Sequence, residues 1–476
     1  MVHKWRVLAL VSVAVFMVSL DLFVVNVAFP DIVGAFPGTS LPTVSWVLNA
    51  YAIVIAATMV SAGRLADQSG RRLVFMVGLV VFAIGSTLCG AAGSIGVLVG
   101  ARMVQALGAA ALLPTSLALL LPEFQPAERS AAIGIWAAVG GIAAACGPPL
   151  GGLLVEVSWR LVFFVNVPVA MIALLFAGRL LSESREVDGE RPDPIGVVLL
   201  TGSVGLLAFG LVQAPAWGWS DVRTIAALVV AVVGGGAFAA RCATHAQPLV
   251  EPALVRVRSF SVADISALLF SASFAAMLLG NVLFMTDVWG YSTFAAGLGL
   301  APGPLAAAVL AARSGKLVVP LGSRFLGTLG TGLFALGCAW WLWRMGPSPD
   351  YLGEMLPGLL ITGVGVGLTL PALGSAAAGS LPPQRFATGS AIFTMSRQLG
   401  FVIGVAILVS ILGSPGGIDP TAGFEGGWLF MVIAAALAAV AAAALDPPSV
   451  ATTASPTPTP TVVRESYPVP AEGRLR

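Results

Sequence analysis

Charge is scarce in this chain. Asp, Glu, Lys and Arg together make up 10% of its 476 residues, against about 25% in an ordinary soluble domain. A soluble fold of that length cannot cover its core with so little polar surface. Histidine is nearly absent: His3 and His245 are too far apart in sequence for a metal cluster. The four cysteines (Cys89, Cys146, Cys242 and Cys338) are scattered through apolar stretches, which argues for small packing residues and against a disulfide framework or a metal site. No G-x-x-x-x-G-K-[ST] occurs, which excludes ATP hydrolysis by a P-loop. Any work done is expected to run on an ion gradient. No cofactor, metal or nucleic-acid partner is expected.

What the chain has in abundance is apolar length. It is 58% hydrophobic, with 56 glycines and 32 prolines, and its mean hydropathy is +0.96. Apolar runs long enough to cross a hydrocarbon layer of about 30 Å recur along it. Alternating segments of the kind a transmembrane β-barrel needs do not. The runs predict an all-α polytopic membrane protein with fourteen spans, near 7–29, 44–65, 72–92, 95–121, 130–155, 161–180, 194–214, 222–242, 259–284, 294–312, 321–342, 352–374, 386–412 and 425–445. Asp21 interrupts the first run and thirteen more follow, so it reads as an uncleaved span rather than a signal peptide.

Arginine and lysine set the orientation. With both termini inside, most of them fall on the cytoplasmic side, and Arg160, Arg223 and Arg344 fall outside. The expected organisation is a six-helix half over 1–181 and a charged linker over 182–193. Two inserted spans over 194–242 come next, then a second six-helix half over 243–446 and a Pro/Thr-rich tail over 447–476 that is expected to be disordered. The halves share a repeat. "GRLADQSGRR" (Gly63 to Arg72) and "GKLVVPLGSR" (Gly315 to Arg324) place glycine, a basic residue, leucine, glycine and arginine at the same offsets, with Val319 in the place of Asp67. Two parallel halves around a central path are the arrangement this repeat suggests.

Two charged residues stand out within spans. Asp21 lies about 12 Å from the outer end of its span at 1.5 Å per residue, and Arg102 lies at roughly the same depth in the fourth. A membrane-embedded carboxylate marks a functional site by default, and removal from water favours a carboxyl's neutral form. An acid and an arginine at matched depth form a pair that protonation breaks. The competing reading is a structural hydrogen bond between helices, through Asn26. Arg397 sits about 16 Å from the cytoplasmic end of span thirteen, placed for a carboxylate, carbonyl or anionic cargo or else for a fixed structural pair. Asp287, near the outer end of span nine, is either a second protonatable group or an exposed interface residue. Asp264 is set aside, because Ser261-x-x-Asp264 fits a capping box.

Four motifs, in order, resemble the major facilitator superfamily, specifically its fourteen-span drug:proton antiporter branch. "GRLADQSGRR" is similar to the superfamily's loop 2–3 signature, and "LDLFVVNVAFP" (Leu20 to Pro30) to the branch's first-span motif. "GPPLGG" (Gly147 to Gly152) is similar to the fifth-span motif of exporters, and "WRLVFFVNVP" (Trp159 to Pro168) to the stretch opening span six. The resemblance covers nearly the whole chain except the tail. It implies proton coupling through Asp21 and Arg102, with Gln105 completing an R-x-x-Q element in which Ala106 stands where the family has glycine. Phe23 and Phe29 replace the family's threonine and leucine, which suggests a more aromatic outer vestibule. Asn26, Gln105, Arg397 and Asp287 are candidate cavity residues.

Gly63, Arg64, Asp67, Gly70, Arg71 and Arg72 are the expected cytoplasmic gate. Its glycines allow close approach and a sharp turn, and Asp67 accepts from a helix N-terminus or an arginine. The plainer reading is that Arg71 and Arg72 fix topology. Gly147, Pro148, Pro149, Gly151 and Gly152 form the expected helix-five gate: small residues for tight packing and prolines that bend the helix.

The expected function is proton-coupled export of lipophilic drugs or antibiotics by alternating access, by a non-enzymatic, monomeric, multi-pass protein of a bacterial plasma membrane. Small lipophilic compounds, protons and the bilayer are its partners. The alternative is a dedicated exporter of one host metabolite or self-made antibiotic, and a remote one is a membrane sensor.

Overall fold

The computed structural model describes residues 2–183, 193–245, 248–250, 252–381, 386–413 and 421–446. Among these the chain is helical, without strands. Residues 184–192 of the expected linker and the whole tail, 447–476, lie outside the described residues. In lipid every backbone donor and acceptor must be satisfied within the segment, and helices achieve this.

The first half comprises α1 (Val2–Val27), the short α2 (Phe29–Ala35), α3 (Leu41–Ser69), α4 (Arg71–Gly90), α5 (Ile95–Leu120), α6 (Pro126–Val157), α7 (Leu161–Phe164) and α8 (Asn166–Leu180). Two further helices follow, α9 (Pro194–Trp217) and α10 (Val222–Thr244). The remainder contains α11 (Pro252–Val255), α12 (Arg258–Leu283), α13 (Thr293–Leu300), α14 (Pro302–Arg344), α15 (Leu356–Gly379), α16 (Phe386–Leu412) and α17 (Ala422–Ala443). Fourteen segments among the described residues are long and apolar enough to cross a membrane, which matches the spans read from the sequence.

Boundaries follow local chemistry. Asp193 and Asp221 cap α9 and α10 by accepting from the backbone N–H groups of Ile195 and Arg223, at 3.1 and 2.8 Å, and Pro194 sits at the first helical position, where its missing donor costs nothing. The expected loop between spans ten and eleven is not a loop. α14 runs through it and breaks at Gly322, where φ is 79°. The intervening Leu317 and Val318 continue the helix, and only the glycine departs from it. Gly70, between α3 and α4, has φ 115°. The two copies of the sequence repeat therefore share a conformation: the second glycine of each takes a positive φ.

The termini share one face. Lys4 donates to Glu128 at the start of α6 at 2.8 Å, and Ser259 at the start of α12 is hydrogen-bonded to Asp446 beyond α17. Small residues bring helices together. A methyl added to Gly85 of α4 would lie 2.5 Å from the backbone of Gln105 on α5, and one on Gly365 of α15 would lie 2.7 Å from the Phe334 backbone on α14. α3 packs on α16, and α6 packs on α13 and α14, joining the halves along two seams. α9 lies against both α3 and α16, with α10 outside it.

The capping-box expectation for Asp264 fails. α12 begins at Arg258, behind a Val257 that makes no side-chain cap, so Asp264 stands inside the helix and is buried.

Candidate functional site

Asp21 is buried near the C-terminal end of α1, and the elements of the first half converge on it. Arg102 of α5 donates through Nη1 to Asp21 Oδ2 at 2.5 Å. Gln105, one turn along α5, and Asn166, at the start of α8, donate to Oδ1 at 2.8 and 3.0 Å. Three donors, one of them cationic, hold the carboxylate.

Arg102 is itself fully enclosed. Its Nε donates to the Val47 carbonyl on α3 at 3.0 Å, and Nη1 also reaches Gln105 Oε1 at 2.6 Å. The guanidinium lies 3.9 Å from the centroid of the Tyr51 ring, a cation–π contact that is strengthened by desolvation. Gln105 donates in turn to Ser86 on α4 at 2.7 Å. Arg102 Nη2 and the Tyr51 hydroxyl are buried without a hydrogen-bond partner. The network thus holds spare donors and acceptors beside a charged pair, which is the chemistry needed to re-form bonds when the pair changes.

The matched depth of Asp21 and Arg102 is therefore a contact, and Gln105 joins it. Asn26 does not: its Nδ2 donates to Leu22 O within α1 at 2.7 Å. It lines an enclosed cavity between the halves with Phe23, Pro148, Asn281 and Thr362. Phe23 faces this cavity, whereas Phe29 is wholly buried in the core. Arg397 is half-buried, and its Nε has no partner. Asp287 is exposed in the π-helical turn after α12, accepting from Thr286 at 2.9 Å and touching none of the Asp21 group.

The helix-five residues lie where the halves meet. α6 continues unbroken through Pro148 and Pro149. A methyl on Gly151 would lie 3.2 Å from Val24 of α1, one on Gly152 would lie 2.7 Å from Phe294 of α13, and one on Gly147 would collide with Phe23. Gly297 of α13 packs directly on the Pro148 carbonyl. Close by, Thr293 donates to Asp31 of α2 at 2.5 Å, a hydrogen bond between the halves at the end away from the termini.

At the opposite end, Gly70 and Gly63 differ. A methyl on Gly70 would strike the Glu183 carboxylate, whereas one on Gly63 would make ordinary contact with Pro114 at 3.5 Å. Glu183 accepts from the backbone N–H groups of Arg72 and Leu73 at 3.1 and 3.2 Å, capping α4. Arg72 donates to the Gly178 carbonyl at 2.7 Å. Arg71 is half-buried. The side chains of Arg64 and Asp67 lie outside the described set.

Sequence reasoning missed Asn166, Ser86, Tyr51 and Glu183. Asn166 carried a signal, as the polar residue of "WRLVFFVNVP". Glu183 carried a weaker one, as the first acid after the sixth span.

The Major Facilitator Superfamily profile matches residues 11–405. The chain is 34% identical over 414 residues to the multidrug resistance protein Stp of Mycobacterium tuberculosis, covering 86% of this chain and 76% of that protein. It is 33% identical over 416 residues to the tetracenomycin C resistance and export protein of Streptomyces glaucescens, covering 87% and 76%. A crystal structure of a POT family transporter in complex with a thioalcohol-conjugated peptide superposes with a TM-score of 0.68 at 13% identity, over 91% of this chain and 95% of that one. That likeness is one of fold. The chain belongs to the major facilitator superfamily.

Proposed function

We propose that this chain is a proton-driven exporter of lipophilic drugs or antibiotics that works by alternating access. The observation that carries the reading is the fully buried Asp21–Arg102 pair at 2.5 Å, within a chain whose relatives are named for drug resistance and export. Fourteen apolar helices and these bacterial relatives make it a multi-pass plasma-membrane protein.

The halves are 1–181 and 243–446, with 194–242 inserted, both termini cytoplasmic and the chain acting as a monomer. The hydrogen bond between Thr293 and Asp31 closes the outer end in this conformation. When the outer end opens, a proton from outside binds Asp21 and displaces the Arg102 Nη1 donor. The freed guanidinium retains Val47 O, Gln105 Oε1 and the Tyr51 face, so breaking the pair does not strand it. Cargo leaves outward, the proton leaves inward, and the pair re-forms. Asn26 and Arg397 meet cargo in the central path, and Asp287 plays no part in coupling. The chain catalyses no covalent step. The single-antibiotic name of the Streptomyces relative favours one second reading, a narrow exporter of one metabolite.

The test uses everted membrane vesicles with an internal-pH dye and a panel of lipophilic dyes and antibiotics. Substrate-evoked proton efflux is expected in wild type and lost in Asp21→Asn. Equal efflux in both would refute coupling at Asp21, and silence across the panel would favour the narrow exporter.

A further inference from the structure

Asp264 occupies a setting unlike that of Asp21. It stands six residues inside α12, about 9 Å from the termini face at 1.5 Å per residue, and it is buried. It meets a single hydroxyl, that of Ser396 on α16, and its Oδ1 has no partner. Of the charged groups on elements packed against α12, Asp446 is bonded to Ser259 and Asp21 to Arg102. Arg256, Arg258 and Arg397 form no ion pair with Asp264 among the described residues, and α15 carries no charge at all. An anion left in that position is costly, because neither a cation nor a full set of donors repays its desolvation. A neutral carboxyl is adequately served by one hydroxyl.

One residue further along α16 is Arg397, whose guanidinium Nε is also buried without a partner. The unpaired acid and the unpaired base thus lie on two helices already in contact, with Ser396 in the position a cation would take. The α12–α16 seam is close. Methyls on Gly400 and Gly404 would collide with the carbonyl oxygens of Leu268 and Ala272, so backbone rides on backbone at those two turns, and Phe274 of α12 stands edge-on to Phe401 of α16 beside them.

We propose that Asp264 is a second proton-binding site of this protein, neutral and bonded to Ser396 in the present conformation, and that a shift of α16 brings the longer side chain of Arg397, at the neighbouring position, onto the carboxyl in place of Ser396. On that exchange the carboxyl O–H bond breaks and the proton passes to water at the termini face. The carboxylate left behind pairs with a guanidinium that was already cationic, so charge balances and no redox partner is needed. Asp21, toward the outer end of α1, and Asp264, toward the inner end of α12, place one acid on the first long helix of each half. The step in transport rests on the proton-driven reading proposed above, whereas the occupancy of Asp264 by a proton does not.

The test is infrared difference spectroscopy of the full chain in lipid vesicles, with aspartate carbon-13-labelled at the carboxyl. At neutral pH the carbonyl-stretch band of a protonated carboxyl is expected in wild type and in Asp21→Asn, and is lost in Asp264→Asn. Ser396→Ala, which leaves the acid in place, is expected to shift that band by removing its hydrogen bond, and keeps the test decisive should Asp264→Asn fold poorly. Absence of the band in wild type, its survival in Asp264→Asn, or an unmoved band in Ser396→Ala overturns the proposal. The vesicle assay of Asp21→Asn reports separately on coupling, so either idea can fail while the other stands.

Discussion

Arg102 meets the Val47 carbonyl, the Asp21 carboxylate, the Gln105 carbonyl oxygen and the Tyr51 ring with one planar group. A lysine cannot reproduce this, because an ammonium lacks the flat fork that donates in two directions and stacks on a ring. Removing one partner of a buried pair leaves the other uncompensated, at a cost of about 3–5 kcal/mol. Arg102→Gln is accordingly expected to destabilise the purified protein on that scale. Asp21→Asn made on top of it should recover part of the loss, giving a coupling energy of about 1–3 kcal/mol in a double-mutant cycle. Denaturant unfolding in mixed micelles measures it, and strict additivity would show that the contact carries no energy. The pair was legible in the sequence because depth along a helix is fixed by 1.5 Å per residue, and both residues are charges in an apolar span. Asn166, Ser86 and Tyr51 were not, because uncharged polar residues are common in membrane helices and only the packing of α3 and α4 on α5, and of α8 on α1, turns them inward.

At the scale of elements, two glycines do what the repeat implied. Gly70 (φ 115°) and Gly322 (φ 79°) combine positive φ with extended ψ, a backbone region essentially confined to glycine, where other residues incur about 1–3 kcal/mol. Gly70→Ala and Gly322→Ala should each lower stability by that amount. Gly70→Ala should be the worse for transport, because its methyl also displaces the Glu183 cap. Gly63→Ala should be nearly silent. Thermal unfolding together with dye efflux reads all three. The sequence showed the repeated glycines but not the unequal need for them, which depends on what each Cβ would meet.

The α9–α10 pair offers a pH test. Asp193 caps α9 and accepts from Arg241 of α10 at 2.9–3.2 Å, and these hydrogen bonds hold its carboxyl below the usual carboxylate range. A lowered folded value contributes stability above the unfolded value of about 3.9, and that stability is lost as pH falls through the lower folded one. Amide exchange at the start of α9 should therefore accelerate on acidification below about pH 4, and Asp193→Asn should exchange fast at every pH. A pH-independent wild type would refute the linkage.

For the whole molecule, the fourteen spans and the repeat were legible because apolar length and charge asymmetry are written residue by residue. Which end is closed was not, since it is set by contacts between distant segments. Those contacts gather at the end away from the termini: Thr293 on Asp31, Gly152 against Phe294, and Gly297 on the Pro148 carbonyl. The helix-five residues therefore form a surface against which the second half packs, with glycines allowing backbones to meet where side chains would hold them apart. If alternating access requires this surface to part, tying it shut must stop export without emptying the inward side. Cysteines at Asp31 and Thr293, in a background with Cys146 replaced because it is exposed on α6, are placed to cross-link across the hydrogen bond seen here. The oxidised protein is expected to lose dye export almost completely and to regain it on reduction. It should still bind dye presented from the termini face, as measured by fluorescence anisotropy. Export that persists through complete cross-linking would mean that the outer ends need not separate, and the rocking of one half against the other would have to be abandoned for this chain.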